Sequence, residues 1–411
     1  MTKDKSRVME RARSYIAKIE GHGSLKADFK SGRVKLLVHE GERLFEGILT
    51  GRTLEEMQWI TPRICGVCPI AHNLASLGAA ESALGITVSS STRMLRRLMR
   101  VGQNVQSHIL HTVFLALPDY IGLDRITELT KSDPEKFRLA LALKDTGDEI
   151  ARVVAGRSVH PTRSTVGGFH RAPSPVELKG LAGRIKRVLP GARKMAVFFS
   201  GLPYPPMKAD LEFLVQQGEK VLSSKERGFS VKDYKESITE EVRGYSTAKF
   251  GSLKGRSVMV GSLARLYFRA LDGGEKEPLL SKIDFQNPFH NNMAQAIEVF
   301  LDLKEAVGII DTLLRDGIDG SVARPAKDPP LKGIGTVEAP RGGLYNEVHI
   351  KKDGVIRYAN IVTPTVQNLT SIEDTAEALL KAHPDKPEKE LARLLEMLVR
   401  AYDPCITCST H

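Results

Sequence analysis

Apolar residues recur at helical spacing over several long stretches of this chain. The clearest runs over 291–316, where Ala296, Phe300, Leu303, Val307, Ile310 and Leu314 share one face. Similar spacing predicts helices over 136–157, 175–199, 204–223 and 387–402, and a helical stretch over 42–60 through Leu44, Ile48, Leu49, Met57 and Ile60. A helix over 70–84 is followed by a longer one that Ser90-Ser91 caps and Pro118 stops. Strand signals gather at the two ends. Ser31-Gly32 separates an alternating run over 19–29 from one over 34–38, and Lys352-Asp353-Gly354 separates 344–350 from 355–361, so each end predicts a hairpin. His383-Pro384-Asp385-Lys386-Pro387 reads as a loop. The pattern predicts an α+β fold, mainly helical, with a central long-helix bundle and a small antiparallel sheet region built from both chain ends. No repeat or low-complexity tract divides it, and residues 1–411 read as a single interlocked domain.

Composition narrows the function. With 41% hydrophobic and 27% charged residues, the 411-residue chain has apolar mass for a sizeable core. Charge or proline interrupts every apolar run before it could cross a bilayer, so no membrane span is expected. Residues 1–13 are polar and lack an apolar segment, so no secretory signal is expected. Sixty basic against 49 acidic residues leave a net charge of +11, which suits nucleic acid, an acidic protein or an anionic small molecule. The basic residues are scattered and aromatics are only 6%, a poor platform for stacking bases, so nucleic acid is not expected as a partner.

The cysteines change the picture. All four fall into two C-x-x-C pairs, Cys65/Cys68 and Cys405/Cys408. A disulfide framework would not leave the long stretch between them unbridged. The pairs read as a four-thiolate metal site, and soft sulfur donors suit zinc, an iron–sulfur cluster or nickel; spacing does not choose among these. Structural zinc usually closes a local loop. Here the metal would staple the chain near position 65 to its last seven residues.

The flanking residues are more specific. The first pair stands in Arg63-Ile64-Cys65-Gly66-Val67-Cys68-Pro69-Ile70-Ala71-His72, the second in Asp403-Pro404-Cys405-Ile406-Thr407-Cys408-Ser409-Thr410-His411. This combination resembles the large, catalytic subunit of nickel–iron hydrogenases, with signatures R-x-C-G-x-C-x-x-x-H and D-P-C-x-x-C-x-x-H. Ile19-Glu20-Gly21-His22, Glu338-Ala339-Pro340-Arg341-Gly342 and Val362-Thr363-Pro364-Thr365 extend the resemblance along the whole chain. It is strongest to the short cytoplasmic members coupled to soluble cofactors.

That resemblance implies heterolytic cleavage of H2 to hydride and proton at a Ni-Fe centre with one CO and two CN⁻ ligands. Cys65 and Cys405 would be the terminal nickel ligands, and Cys68 and Cys408 would bridge to iron. Cys405 would take the proton first and Glu20 pass it outward. His72 would hydrogen-bond a bridging sulfur, Pro340, Arg341 and Thr365 would line the iron pocket, and Asp403 would lie over the nickel beside Arg341. Glu46, the carbonyl of Ile361 and the terminal His411 would hold Mg2+ or Fe2+. Family precursors carry a tail beyond this histidine that is removed after nickel insertion, and the present chain resembles the processed form.

Each residue has a plainer reading as well. Glu20 alone would be a solvated glutamate after a strand, His72 a hydrogen-bonded helix residue, Arg341 a loop ion-pair partner, and Thr365 and Asp403 turn formers. One position departs from the family pattern. Many members have Asp before the first histidine on the long helix; here Ser107 precedes His108. His108 and His111 share a face, and a hydrogen-bonded pair is the expected reading over a metal pair.

With every cysteine committed, the chain has no iron–sulfur wire of its own and no G-x-G-x-x-G nicotinamide motif. The resemblance therefore implies a small iron–sulfur subunit as partner, with further electron-transfer subunits that reduce NAD(P) or another soluble carrier. The alternative from another class is a structural four-cysteine zinc protein that binds nucleic acid.

Overall fold

In a computed structural model, which describes residues 12–272 and 277–411, long helices form the core. The leader-free reading of the N-terminus rests largely on residues outside that range. Ser90–Ile109, Pro134–Ala155, Pro175–Phe199 and Asn291–Asp316 pack in successive pairs. The first two cross closely because Gly102 and Gly147 face each other; a Cβ on Gly147 would stand 2.8 Å from the Gly102 carbonyl oxygen. Among the described residues, no helix is long and apolar enough to cross a membrane.

The strands form small antiparallel sheets. Ala12–Tyr15, Gly23–Asp28 and Arg33–Val38 make one at the N-terminal end; Lys332–Ala339, Gly342–Ile350 and Ile356–Val362 make another near the C-terminal end. Both predicted hairpins are present, and a parallel bridge between Glu20 and Cys405 ties the two chain ends together.

Three predicted elements differ. The stretch 204–223 is not a helix: Pro205-Pro206 remove two donors, and Gly218 (φ +62°) turns a hairpin between Leu214–Gln217 and Lys220–Ser223. The stretch 42–60 is two helices, Phe45–Leu49 and Leu54–Ile60, because Thr53 and Glu56 form a capping box that starts a new helix. The long helix does not end at Pro118. It widens to a π-helix over Leu110–Ala116, and Pro118 sits in the first turn of the following Leu117–Ile121 helix, where its missing N–H costs nothing.

Glycine also fixes the elements around the cysteines. The Pro69–Leu84 helix lies directly on the Lys332–Ala339 strand, and a Cβ on Gly335 would stand 2.1 Å from the Ala75 carbonyl oxygen. Only glycine permits that approach. The strand then turns through Pro340-Arg341, with Ala339 paired to Gly342, and delivers the tip of this hairpin beside the sulfurs.

Candidate metal centre

Cys65 follows the short Thr61–Ile64 turn and Cys68 precedes the Pro69–Leu84 helix; Cys405 and Cys408 flank and enter the last turn, Ile406–Ser409. All four thiols are buried and none is in a disulfide. Their ligand atoms lie within 4.8 Å of one another. Cys65 Sγ is 3.3 Å from Cys405 Sγ, Cys68 Sγ is 3.2 Å from Cys408 Sγ, and the Sγ atoms of Cys405 and Cys408 are 2.8 Å apart.

Hydrogen bonds from Cys405 and the other sulfurs pull the Cys65 thiol well below its usual value, while burial pushes Cys405 and Cys408 well above theirs. Four thiolates cannot share this volume without cationic charge among them, so the donor set fits a soft divalent metal that displaces the protons on binding.

The Arg341 guanidinium, only 5% exposed, supplies fixed positive charge beside the sulfurs. Its Nη2 donates to Asp403 Oδ1 at 2.8 Å, its Nε to the Asp403 carbonyl at 2.7 Å, and its Nη1 to Ser107 Oγ at 3.4 Å. Burial opposes this charge, but Asp403 and then the sulfurs outweigh it and hold the guanidinium protonated. Asp403 has φ +52°, a conformation Asp tolerates, and redirects the chain from the Glu388–Ala401 helix toward the cysteines. Gln295 Nε2 donates to Asp403 Oδ2 at 2.9 Å. Ser107 thus stands where the family pattern often has a carboxylate, and Asp403 is the carboxylate that pairs with Arg341.

A small pocket of about 10 Å³ lies against the sulfurs, walled by Cys68, His72, Ala339, Pro340, Arg341, Leu344, Pro364, Thr365, Cys405 and Cys408. Thr365 Oγ1 accepts from the Cys405 amide at 3.0 Å, so its hydroxyl hydrogen can be donated into this space. His72 Nε2 is 3.6 Å from Cys408 Sγ, and burial lowers its pKa to about 4, so the ring is neutral at pH 7.

Glu20 lies beside Cys405. Its carboxylate accepts from the Thr407 amide at 3.1 Å and hydroxyl at 2.5 Å. Burial, and next the negative charge of Cys65, raise its pKa above that of an ordinary glutamate.

The residues expected at the C-terminal cation site meet through Ile361. Glu46 Oε1 accepts from the Ile361 amide at 2.8 Å; His411 Nε2 is 2.6 Å from the Ile361 carbonyl, and its Nδ1 is 2.7 Å from the Cys408 carbonyl. Burial lowers the pKa of His411, and a neutral imidazole has one N–H for these two carbonyls. The ring nitrogen without a hydrogen faces a carbonyl oxygen as acceptor to acceptor. A cation bound by both after they move apart would satisfy them, so these donors together with the Glu46 carboxylate suit a hard metal.

His108 and His111 do not share a metal site. His108 Nε2 is 3.1 Å from Glu298 Oε2, while His111 faces Gln295 Oε1 at 2.5 Å and the Arg400 carbonyl at 2.7 Å. Gln295 and Arg265, which brace the Asp403 and Arg341 segments, escape sequence reading. Neither belongs to a local motif; only the three-dimensional neighbourhood reveals them.

The family model described as nickel-dependent hydrogenase matches residues 43–145 and 217–411. The chain is 33% identical to sulfhydrogenase 1 subunit alpha of Pyrococcus furiosus, over 97% of this chain and 96% of that one. It is 28% identical to the NAD-reducing hydrogenase HoxS subunit beta of Cupriavidus necator, over 96% and 93%. A crystal structure of an NAD+-reducing [NiFe]-hydrogenase superposes with TM-score 0.83 at 24% identity, covering 98% of this chain and 99% of that one, which speaks for the fold. The zinc alternative is set aside by the family match.

Proposed function

The chain belongs to the nickel-dependent hydrogenase family as a catalytic subunit, an oxidoreductase acting on H2, and we propose that its four sulfurs hold nickel and an iron bearing one CO and two CN⁻. When bound, this centre supplies the soft, electron-rich Lewis-acidic pair at which H2 is polarised and split heterolytically.

The residues of this chain do the rest. Cys65 and Cys405 would serve as terminal ligands and Cys68 and Cys408 as the shared ones; the mutual closeness of all four sulfurs, within 4.8 Å, supports a common metal centre. Cys405 Sγ accepts the proton and passes it to the Glu20 carboxylate, whose raised pKa suits reversible transfer. Arg341, fixed by Asp403, would present its charge to one cyanide, and the Thr365 hydroxyl would be free to donate to the other. Pro340 closes the pocket against water, and His72 donates to the Cys408 sulfur. Glu46, the Ile361 carbonyl and His411 would hold Mg2+ or Fe2+, and a cation there would tie the C-terminal turn to the Ile356–Val362 strand.

Electrons leave through a small iron–sulfur subunit, with further subunits reducing NAD(P) or a similar soluble carrier in the cytoplasm. The sulfhydrogenase and NAD-reducing relatives support this assembly. The residues read as one interlocked domain, supported by the bridge between Glu20 and Cys405.

The observation that carries the reading is the convergence of four buried sulfurs from both ends of the chain within 4.8 Å, beside the Arg341–Asp403 pair. The test is metal analysis with infrared spectroscopy on the purified complex. Equimolar nickel and iron with CO and CN⁻ bands are expected; one zinc and no such bands would overturn it.

A further inference from the structure

The turn that carries Arg341 is gripped from behind by a second guanidinium, that of Arg265 on the Ser262–Leu271 helix. Nε donates to Glu298 Oε1 at 2.7 Å. Nη1 donates to Glu338 Oε2 and to the Ala339 carbonyl, each at 2.9 Å. Nη2 donates to Glu298 Oε2 at 2.7 Å, to the Pro340 carbonyl at 2.9 Å and to Ser262 Oγ at 3.1 Å. A guanidinium is planar with its donors in a rigid fork, so it holds all these acceptors in one fixed arrangement; an ammonium cannot.

The pinned carbonyls belong to the two residues just before Arg341, and both residues wall the cavity at the sulfurs. Asp403 therefore holds Arg341 from the front, and Arg265 holds its peptide from the rear. The Glu298 carboxylate that anchors Arg265 also meets His108 at 3.1 Å, which ties the clamp to the Ser90–Ile109 and Asn291–Asp316 helices.

We propose that Arg265 is a positioning residue for hydrogen cleavage: by pinning the Ala339 and Pro340 carbonyls it sets where Pro340 and Arg341 stand against the iron ligands. This rests on the functional reading above. Arg265 acts through the turn. Its rear faces a cleft of about 760 Å³ that Glu298 and Glu338 also line, so a guanidinium ion from solvent can enter the space left by a truncated side chain.

The test uses the complete complex with Arg265→Lys, Arg265→Ala and, for comparison, Arg96→Lys. Arg96 is another largely buried arginine, bound through both Nη atoms to Glu81 and also to the Thr165 carbonyl. Arg265→Lys is expected to keep nickel and iron, lose roughly tenfold or more in H2-dependent dye reduction, and shift the infrared bands of the iron ligands. Amide exchange over residues 338–345 is expected to quicken. Added guanidinium should return both the bands and part of the turnover to Arg265→Ala, while Arg96→Lys should keep the parent bands.

Unshifted bands in a metal-replete Arg265→Lys, or bands in metal-replete Arg265→Ala that guanidinium leaves unmoved, would overturn the proposal. Should the Arg265 variants fail to load metal, exchange over 338–345 decides: a rate no faster than in Arg96→Lys overturns it. Missing CO and CN⁻ bands in the parent would count against the functional reading instead, and the exchange comparison would still judge the clamp.

Discussion

Glu20 and Cys405 form a parallel bridge in which the Ile406 amide donates to the Glu20 carbonyl at 3.0 Å. The backbone bond, together with Thr407 on the carboxylate, places a half-buried acid against a sulfur from the far end of the chain. Glu20→Gln keeps the shape and removes the titratable proton. It is expected to retain nickel and iron while H2/D2O exchange falls about 10²-fold or more. Unchanged exchange would remove Glu20 from the proton path.

Arg341 and Asp403 are expected to act as a unit. Lysine at 341 replaces with one nitrogen the three that reach the Asp403 carbonyl, the Asp403 carboxylate and Ser107, and so loses the rigid fork that fixes the pair. Arg341→Lys and Asp403→Asn should each lower turnover about 10²-fold, and the double variant should be little worse than either single one. Additive losses in a double-mutant cycle would show that the two side chains work independently.

Much of this site was legible in the sequence because its chemistry is local in spacing. Cysteine pairs, the Asp-Pro before one and the histidine after each are dense short signals, and the terminal hairpins announce themselves through Ser31-Gly32 and Lys352-Asp353-Gly354. Helical periodicity located the long helices, since each buries one face. It failed over 204–223, where Pro205-Pro206 and Gly218 outweigh the apolar spacing, and at Pro118, where a π-helical turn absorbs the proline. Contacts across the fold left no trace in spacing. Arg265 and Gln295 sit in ordinary helical sequence, and their importance comes only from what the fold sets beside them.

Asp302 offers a pH test away from the metals. It is 8% exposed, Oδ2 has no hydrogen-bond partner, and burial raises its pKa to about 7 from an ordinary 3.8. Between those values the folded chain keeps a proton that the unfolded chain releases. The stability from the neutral carboxyl is therefore full below about pH 4 and is lost as pH rises toward 7. Asp302→Asn should remove that dependence and be more stable by roughly 2–4 kcal/mol at pH 8. Unfolding of parent and variant at pH 5 and pH 8 measures it; a constant difference would refute the assignment.

At the C-terminus, Glu46→Gln keeps a side-chain oxygen for the Ile361 amide but removes the negative charge a hard cation needs. Metal analysis should find a hard divalent cation in the parent that the variant loses, together with a lower melting temperature. Equal cation content in both would contradict the clamp.

X-ray absorption at the nickel edge of the purified complex tests the bimetallic reading most directly. Four sulfur neighbours with iron at short range are predicted, and Cys405→Ser or Cys65→Ser should replace one sulfur with oxygen or abolish loading. Nickel bound mainly through nitrogen and oxygen, or an environment that either substitution leaves intact, would contradict it.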